Sequence, residues 1–139
     1  METDAVFLDT AYVYALFNKR DQWHEQAAVW EKKLAVEKRP LLTTEFVLIE
    51  IGNGLAALRF RLNAAQIIHS LQANPFVKII PASSYLFRQA LTLYEQRPDK
   101  SWGLTDCSSF VVMSENNITD ALTTDDHFRQ AGFKVLLSD

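Results

Sequence analysis

Short, wholly apolar runs alternate along the chain with longer stretches in which apolar residues recur at helical spacing. Ala5-Val6-Phe7-Leu8 is apolar throughout, as expected for a strand buried on both faces of a sheet. Asp9-Thr10 then opens a helical stretch over residues 11–17, and the polar residues 18–22 form a loop. Residues 23–37 read as a helix, with Ala27, Val29, Trp30 and Leu34 giving a partly apolar face. Pro40 stops it, Leu41-Leu42 makes a brief second strand, and Thr43-Thr44 caps a helix over residues 45–58. Gly52 and Gly54 allow that helix close packing at some loss of helix propensity. Asn63 is placed to cap another helix reaching Leu71.

Asn74-Pro75 is a turn signal before a strand at residues 76–80. Pro81 and Ser83-Ser84 lead into a helix over residues 85–96, and residues 97–101 form a surface loop. Thr105 caps a strongly apolar helix over residues 106–115. Residues 118–123 are strand-like despite Asp120, residues 126–130 form a short helix, and Gly132 sits where a helix C-terminal glycine is expected. Residues 133–137 close the series as a strand. Strands alternating with helices predict an α/β fold, one domain over residues 1–139 with a central parallel sheet covered on both faces. No repeat, low-complexity tract or linker interrupts it.

Composition adds limits. A chain of 139 residues that is 48% apolar can build one core. Its net charge of −3 argues against a general nucleic-acid binder, which usually carries a strongly basic face. A metal-bearing nuclease remains open, because bound cations offset acidic residues. The single Cys107 excludes an internal disulfide and a cysteine-rich zinc site, and its apolar surroundings predict a buried thiol. With no signal peptide and no membrane-length apolar run, the expected location is cytoplasmic.

Four acids carry the candidate chemistry. Asp9 and Asp125 follow predicted strands directly, Glu50 lies about two turns into a helix, and Asp106 begins one. In a parallel α/β sheet, groups beyond the carboxyl ends of strands converge near the switch in strand order. Periodicity alone does not place Asp106, which has no strand just before it. Clustered carboxylates are costly unless a cation neutralises them, and magnesium or manganese takes hard oxygen ligands while leaving positions open for phosphate. Such an ion acidifies bound water and stabilises phosphate charge, the chemistry of phosphodiester hydrolysis. Each acid also has a structural reading: Asp9 and Asp125 as caps, Asp106 as a helix-dipole partner. Glu50 interrupts the apolar run Phe46-Val47-Leu48-Ile49 and Ile51, so it faces solvent or a partner.

These residues resemble the PIN-domain family, in particular VapC-type toxins of bacterial toxin–antitoxin pairs. Phe7-Leu8-Asp9-Thr10 resembles the family's first motif, Thr43-Thr44-Glu45-Phe46-Val47-Leu48-Ile49-Glu50 its second and Leu104-Thr105-Asp106-Cys107-Ser108-Ser109-Phe110 its third. Ala121-Leu122-Thr123-Thr124-Asp125-Asp126-His127-Phe128, then Gln130-Ala131-Gly132-Phe133, resembles the fourth. The resemblance implies a three-layer α/β/α sandwich and a magnesium- or manganese-dependent endoribonuclease acting on RNA. It also implies a homodimer restrained by an antitoxin. Asp9, Glu50, Asp106 and Asp125 would form the acidic site, with Asp9 and Asp106 as direct metal ligands. Asp125 is favoured over Asp126 for the fourth place, and both stay open.

Thr10, Thr105 and Thr124 are candidates to hydrogen-bond the carboxylates or water, with capping as the alternative. Ser109 is a candidate for the same site or for packing. His127 can contact substrate phosphate or pack beside Phe128. His24 and His69 have no ligand partner at helical spacing and read as solvent-facing. Lys19-Arg20, Arg59-Phe60-Arg61 and residues 97–100 are candidate RNA backbone contacts or ordinary surface charge. Trp23, Trp30 and Trp102 can stack on bases or pack, and helical spacing favours packing for the first two. Two other functions compete: a non-catalytic PIN-like RNA- or protein-binding module, and another metal-dependent phosphoesterase. A local basic patch beside the acids would favour RNA cleavage.

Overall fold

Val6, Phe7 and Leu8 are almost wholly buried, as a central strand of a parallel sheet must be. In a computed structural model, which describes residues 4–138, they form β1 (Val6–Leu8). The other strands are β2 (Leu41–Thr44), β3 (Val77–Ile80), β4 (Asp120–Leu122) and β5 (Lys134–Val135). All pairings are parallel, in the order β3-β2-β1-β4-β5. The helices are α1 (Thr10–Phe17), α2 (His24–Glu37), α3 (Glu45–Gly54), α4 (Leu58–Ala73), α5 (Ser84–Gln96), α6 (Leu104–Glu115) and α7 (Asp126–Gln130).

The chain steps from β1 outward to β3, then crosses back to β4 and continues to β5. Right-handed crossovers therefore place α1 to α4 on one face and α5 to α7 on the other, giving the three-layer α/β/α sandwich. Side chains along β1 agree. Phe7 packs against Phe128, which meets Phe110, which meets Trp102, at centroid distances of 6.2, 4.9 and 5.0 Å. Leu8 points the other way and lines a groove with Tyr12, Leu16, Leu34 and Ile67. The reversal of strand order lies between β1 and β4, so the crevice opens there.

Several boundaries differ from the periodicity reading. The expected helix over residues 45–58 breaks at Gly54, and a separate α4 begins at Leu58. Asn63 therefore lies inside α4 and caps nothing. Gly54 is needed by packing: a Cβ there would lie 1.6 Å from the Tyr14 hydroxyl oxygen. Gly103, not Thr105, is the residue before α6, and Thr105 lies within its first turn. The last two strands are shorter than their apolar runs because the hydrogen-bonded ladder covers only part of each.

Gly132 has the left-handed φ of 96° that its place after α7 calls for. His24 is half-buried rather than solvent-facing, and its Nδ1 lies 2.9 Å from the Ala15 carbonyl oxygen, ordering the α1–α2 turn. His69 is exposed. Trp102 is buried, its Nε1–H donating to Gln130 Oε1 at 3.0 Å, so it cannot stack on a base. Trp23 and Trp30 are partly buried against the core, and the Cys107 thiol is buried. No helix among the described residues is long and apolar enough to cross a membrane.

Candidate metal centre at the carboxyl edge of the sheet

Parallel register builds the centre. Leu8 pairs with Leu122, so the next residue on each strand, Asp9 and Thr123, emerges side by side. The Asp9 N–H donates to the Leu122 carbonyl at 3.3 Å. The Thr123 hydroxyl donates to Asp9 Oδ2 at 2.7 Å, and Thr123 Oγ1 in turn accepts the Asp125 N–H at 3.0 Å. Thr123 is fully buried. Its hydroxyl is hydrogen-bonded to the Asp9 carboxylate, whereas the sequence reading named Thr10, Thr105 and Thr124. Extending the β1–β4 pairing by one residue would have found it. On the other side of β1, the buried Thr43 hydroxyl donates to the Leu8 carbonyl at 2.8 Å, so both flanks of Asp9 are fixed.

Asp9 is 5% exposed, and its pKa is pushed up to about 7. Burial is the main cause. The Thr123 hydrogen bond opposes it, while the nearby Glu50 and Asp106 charges add to it. Of the four expected acids, Glu50 and Asp106 thus each lie within electrostatic reach of Asp9. The fourth joins them through a tighter group: Asp106, Asp125 and His127 each offer one ligand atom, all within 4.8 Å of one another. His127 Nδ1 lies 3.2 Å from Asp106 Oδ2 and 3.5 Å from Asp125 Oδ1. Its Nε2 lies 3.5 Å from Ser101 Oγ.

Local structure fixes each carboxylate. Asp106 stands at the third position of α6 and accepts the Gly103 N–H at 3.0 Å, the geometry of a helix cap. Asp125 caps α7, Oδ1 accepting the His127 N–H at 2.9 Å. Both structural readings of these acids are therefore realised, and capping is what aims the carboxylates. Glu50 lies midway along α3, half-buried, and its carbonyl accepts the Tyr14 hydroxyl at 3.0 Å. Burial, then the Glu50 and Asp9 charges, raise the Tyr14 pKa.

The remaining candidates lie elsewhere. Asp126 points to solvent and pairs with Arg129, so Asp125 is the aspartate that faces the cluster. The Ser109 hydroxyl is fully buried and donates to the Thr105 carbonyl at 3.2 Å, a packing role. The Thr10 hydroxyl, on the residue next to Asp9, is buried with no hydrogen-bond partner among the described residues. The groove lined by Leu16, Leu34 and Ile67, of about 580 Å³, lies on the α1, α2 and α4 side away from Asp106 and Asp125.

This fold and acidic edge are those of a PIN domain. The family model for the PIN domain matches residues 6–134, and the chain belongs to that family. Its structure is similar to VapC20 of Mycobacterium tuberculosis, described as a sarcin–ricin loop cleaving toxin. The TM-score is 0.78 and the identity 27%, covering 92% of this chain and 95% of that one. That likeness agrees with the VapC-type resemblance read from the sequence. FitAcB from Neisseria gonorrhoeae is similar in fold, with a TM-score of 0.64 and 18% identity over 94% and 95% of the two chains. Among curated proteins, none matches in sequence.

Proposed function

We propose that the chain is a divalent-metal-dependent endoribonuclease that hydrolyses RNA phosphodiester bonds, as the toxin of a type II toxin–antitoxin pair. The observation that carries this reading is the buried Asp9 carboxyl with Glu50 and Asp106 in electrostatic reach. Among the described residues, no cationic side chain pairs with it. Such a set of hard oxygen donors fits magnesium or manganese. Asp9, Glu50, Asp106 and Asp125 would hold the ion or ions, with Asp9 and Asp106 as the direct ligands. A bound ion supplies charge stabilisation for the phosphate and a more acidic water.

The chain's own residues supply the orientation. Thr123 holds one oxygen of Asp9, the Gly103 N–H holds one of Asp106, and the α7 cap holds one of Asp125. That preorganisation keeps the carboxylates in place against their mutual repulsion. His127 stands at the rim, half-buried, within reach of a substrate phosphate. A homodimer and an antitoxin partner belong to the same reading. Ile49, Tyr85, Phe87 and Leu104, all exposed, supply apolar surface on α3, α5 and α6 for such contacts.

The test is cleavage of a mixed RNA pool that includes a sarcin–ricin hairpin, with magnesium, manganese or EDTA. An Asp9→Asn/Asp106→Asn variant, a DNA of matching sequence and a chromogenic phosphoester run beside it. Metal-dependent cutting of RNA alone, lost in the variant, is the expected result. Cutting of DNA or the phosphoester instead would point to another phosphoesterase. Metal-independent RNA binding without cutting would make the chain a binding module.

A further inference from the structure

The C-terminal end of α1 and the first turn of α4 meet through Phe17 and Phe60, whose rings pack edge to face at 5.7 Å. This contact joins two basic segments that are distant in sequence. Lys19 and Arg20 follow Phe17, and Arg59 and Arg61 flank Phe60. All four cations are exposed, and none belongs to an ion pair among the described residues. The Arg59 guanidinium lies 4.6 Å from the Phe60 ring centroid, and Arg61 donates one N–H to the Ala56 carbonyl at 3.1 Å. Both contacts set the side chain's direction and leave most of its five donors free.

The surroundings keep this face cationic. No Asp or Glu occurs between Glu50 and Glu95, so α4 carries no acid, although the chain as a whole has a net charge of −3. The nearest acid in sequence, Asp21, turns its carboxylate to the Trp23 N–H at 2.8 Å. The third basic segment behaves differently. Arg97 is held by Asp99 through two 3.0 Å hydrogen bonds and lies over the Trp102 ring.

We propose that Lys19, Arg20, Arg59 and Arg61 form one phosphate-binding face that holds the RNA strand beside the acidic centre. This rests on the RNA-cleaving reading above. α1 begins beside Asp9 and ends at Phe17, a rise of about 12 Å at 1.5 Å per residue. Tyr14, between them, touches Glu50. A strand with one phosphate at the acids therefore reaches the face within a few nucleotides. The acids themselves repel RNA until cations are bound, so an offset basic face supplies the attraction that the centre cannot.

The experiment is fluorescence anisotropy with a labelled RNA hairpin of sarcin–ricin sequence, in EDTA, across a salt series. The full chain is compared with Lys19→Gln/Arg20→Gln/Arg59→Gln/Arg61→Gln, since glutamine suits the helix at the last two positions. At about 0.7 per phosphate contact on a single strand, the slope of log affinity against log salt should fall by about 3. Manganese affinity and Tm should be unchanged, and in magnesium KM should rise with kcat held. A variant with intact Tm and manganese binding but unchanged RNA affinity and salt slope would overturn the proposal. So would unchanged RNA binding with lost affinity for labelled polyglutamate, which would assign the face to an acidic protein. If the wild type binds RNA through this face but never cuts it, the face stands and the nuclease reading fails.

Discussion

Replacing Asp9 by Asn tests whether ionising this buried carboxyl costs stability that a bound cation restores. The carboxyl is 5% exposed and its pKa lies near 7, against 3.8 for the free side chain. Between about pH 4 and pH 7 the folded chain therefore binds a proton at Asp9 that the unfolded chain has released. Metal-free stability must then fall as pH rises through that window, because the native state holds the extra proton. A displacement of about three units, at 1.36 kcal/mol each, sets a ceiling of about 4 kcal/mol on the loss by pH 8. Asp9→Asn keeps the shape and the acceptor for Thr123 but has no proton to lose. Urea unfolding in EDTA at pH 4.5 and pH 8 should show the variant gaining on the wild type by about 2–4 kcal/mol at the higher pH. Magnesium or manganese should stabilise the wild type at pH 8 and leave the variant unmoved. Equal pH dependence in the two proteins would refute the reasoning, since it would mean that Asp9 ionises without cost in the fold.

Three further outcomes follow from the same geometry. Thr123→Val removes the donor to Asp9 and the acceptor of the Asp125 N–H, so calorimetry should show manganese affinity weakened by about 10- to 100-fold. Asp125→Asn should cut metal-dependent RNA cleavage sharply while Asp126→Asn leaves it within about twofold, because only Asp125 faces Asp106 and His127. The reverse order would move the fourth acid to Asp126. Gly54→Ala should destabilise the chain by about 2 kcal/mol or more through collision with Tyr14. Adding Tyr14→Ala should recover part of that loss in a double-mutant cycle, and strict additivity would show that the two residues do not collide.

The alternation of apolar runs with helical spacing was enough for the parallel α/β sandwich, because strands buried on both faces must be apolar throughout and their helices must show a period near 3.6. Asp9, Glu50 and Asp125 stood out for a related reason: they interrupt or terminate apolar segments, where a carboxylate is conspicuous, whereas Asp106 begins a helix and was assigned to the site through the family resemblance. Periodicity carries no information about contact between elements, and there the sequence reading ran short. It gave no sign of what Gly54 packs against, because the Tyr14 side chain that meets that glycine comes from a different helix. It did not name Thr123, because the hydroxyl bonded to Asp9 is selected by β1–β4 register, not by adjacency in the chain.

The sequence by itself determined the fold class, the family and a short list of acids, since these depend on residue type and order. Tertiary structure alone decided which groups share a space. It turned Asp125 inward and Asp126 outward, drew Asp106 and His127 together, and buried Asp9 deeply enough to shift its titration. It also merged two basic segments around Phe17 and Phe60 while pairing off Arg97. Charge interactions depend on distance and local dielectric, and both are set only when the helices close over the sheet.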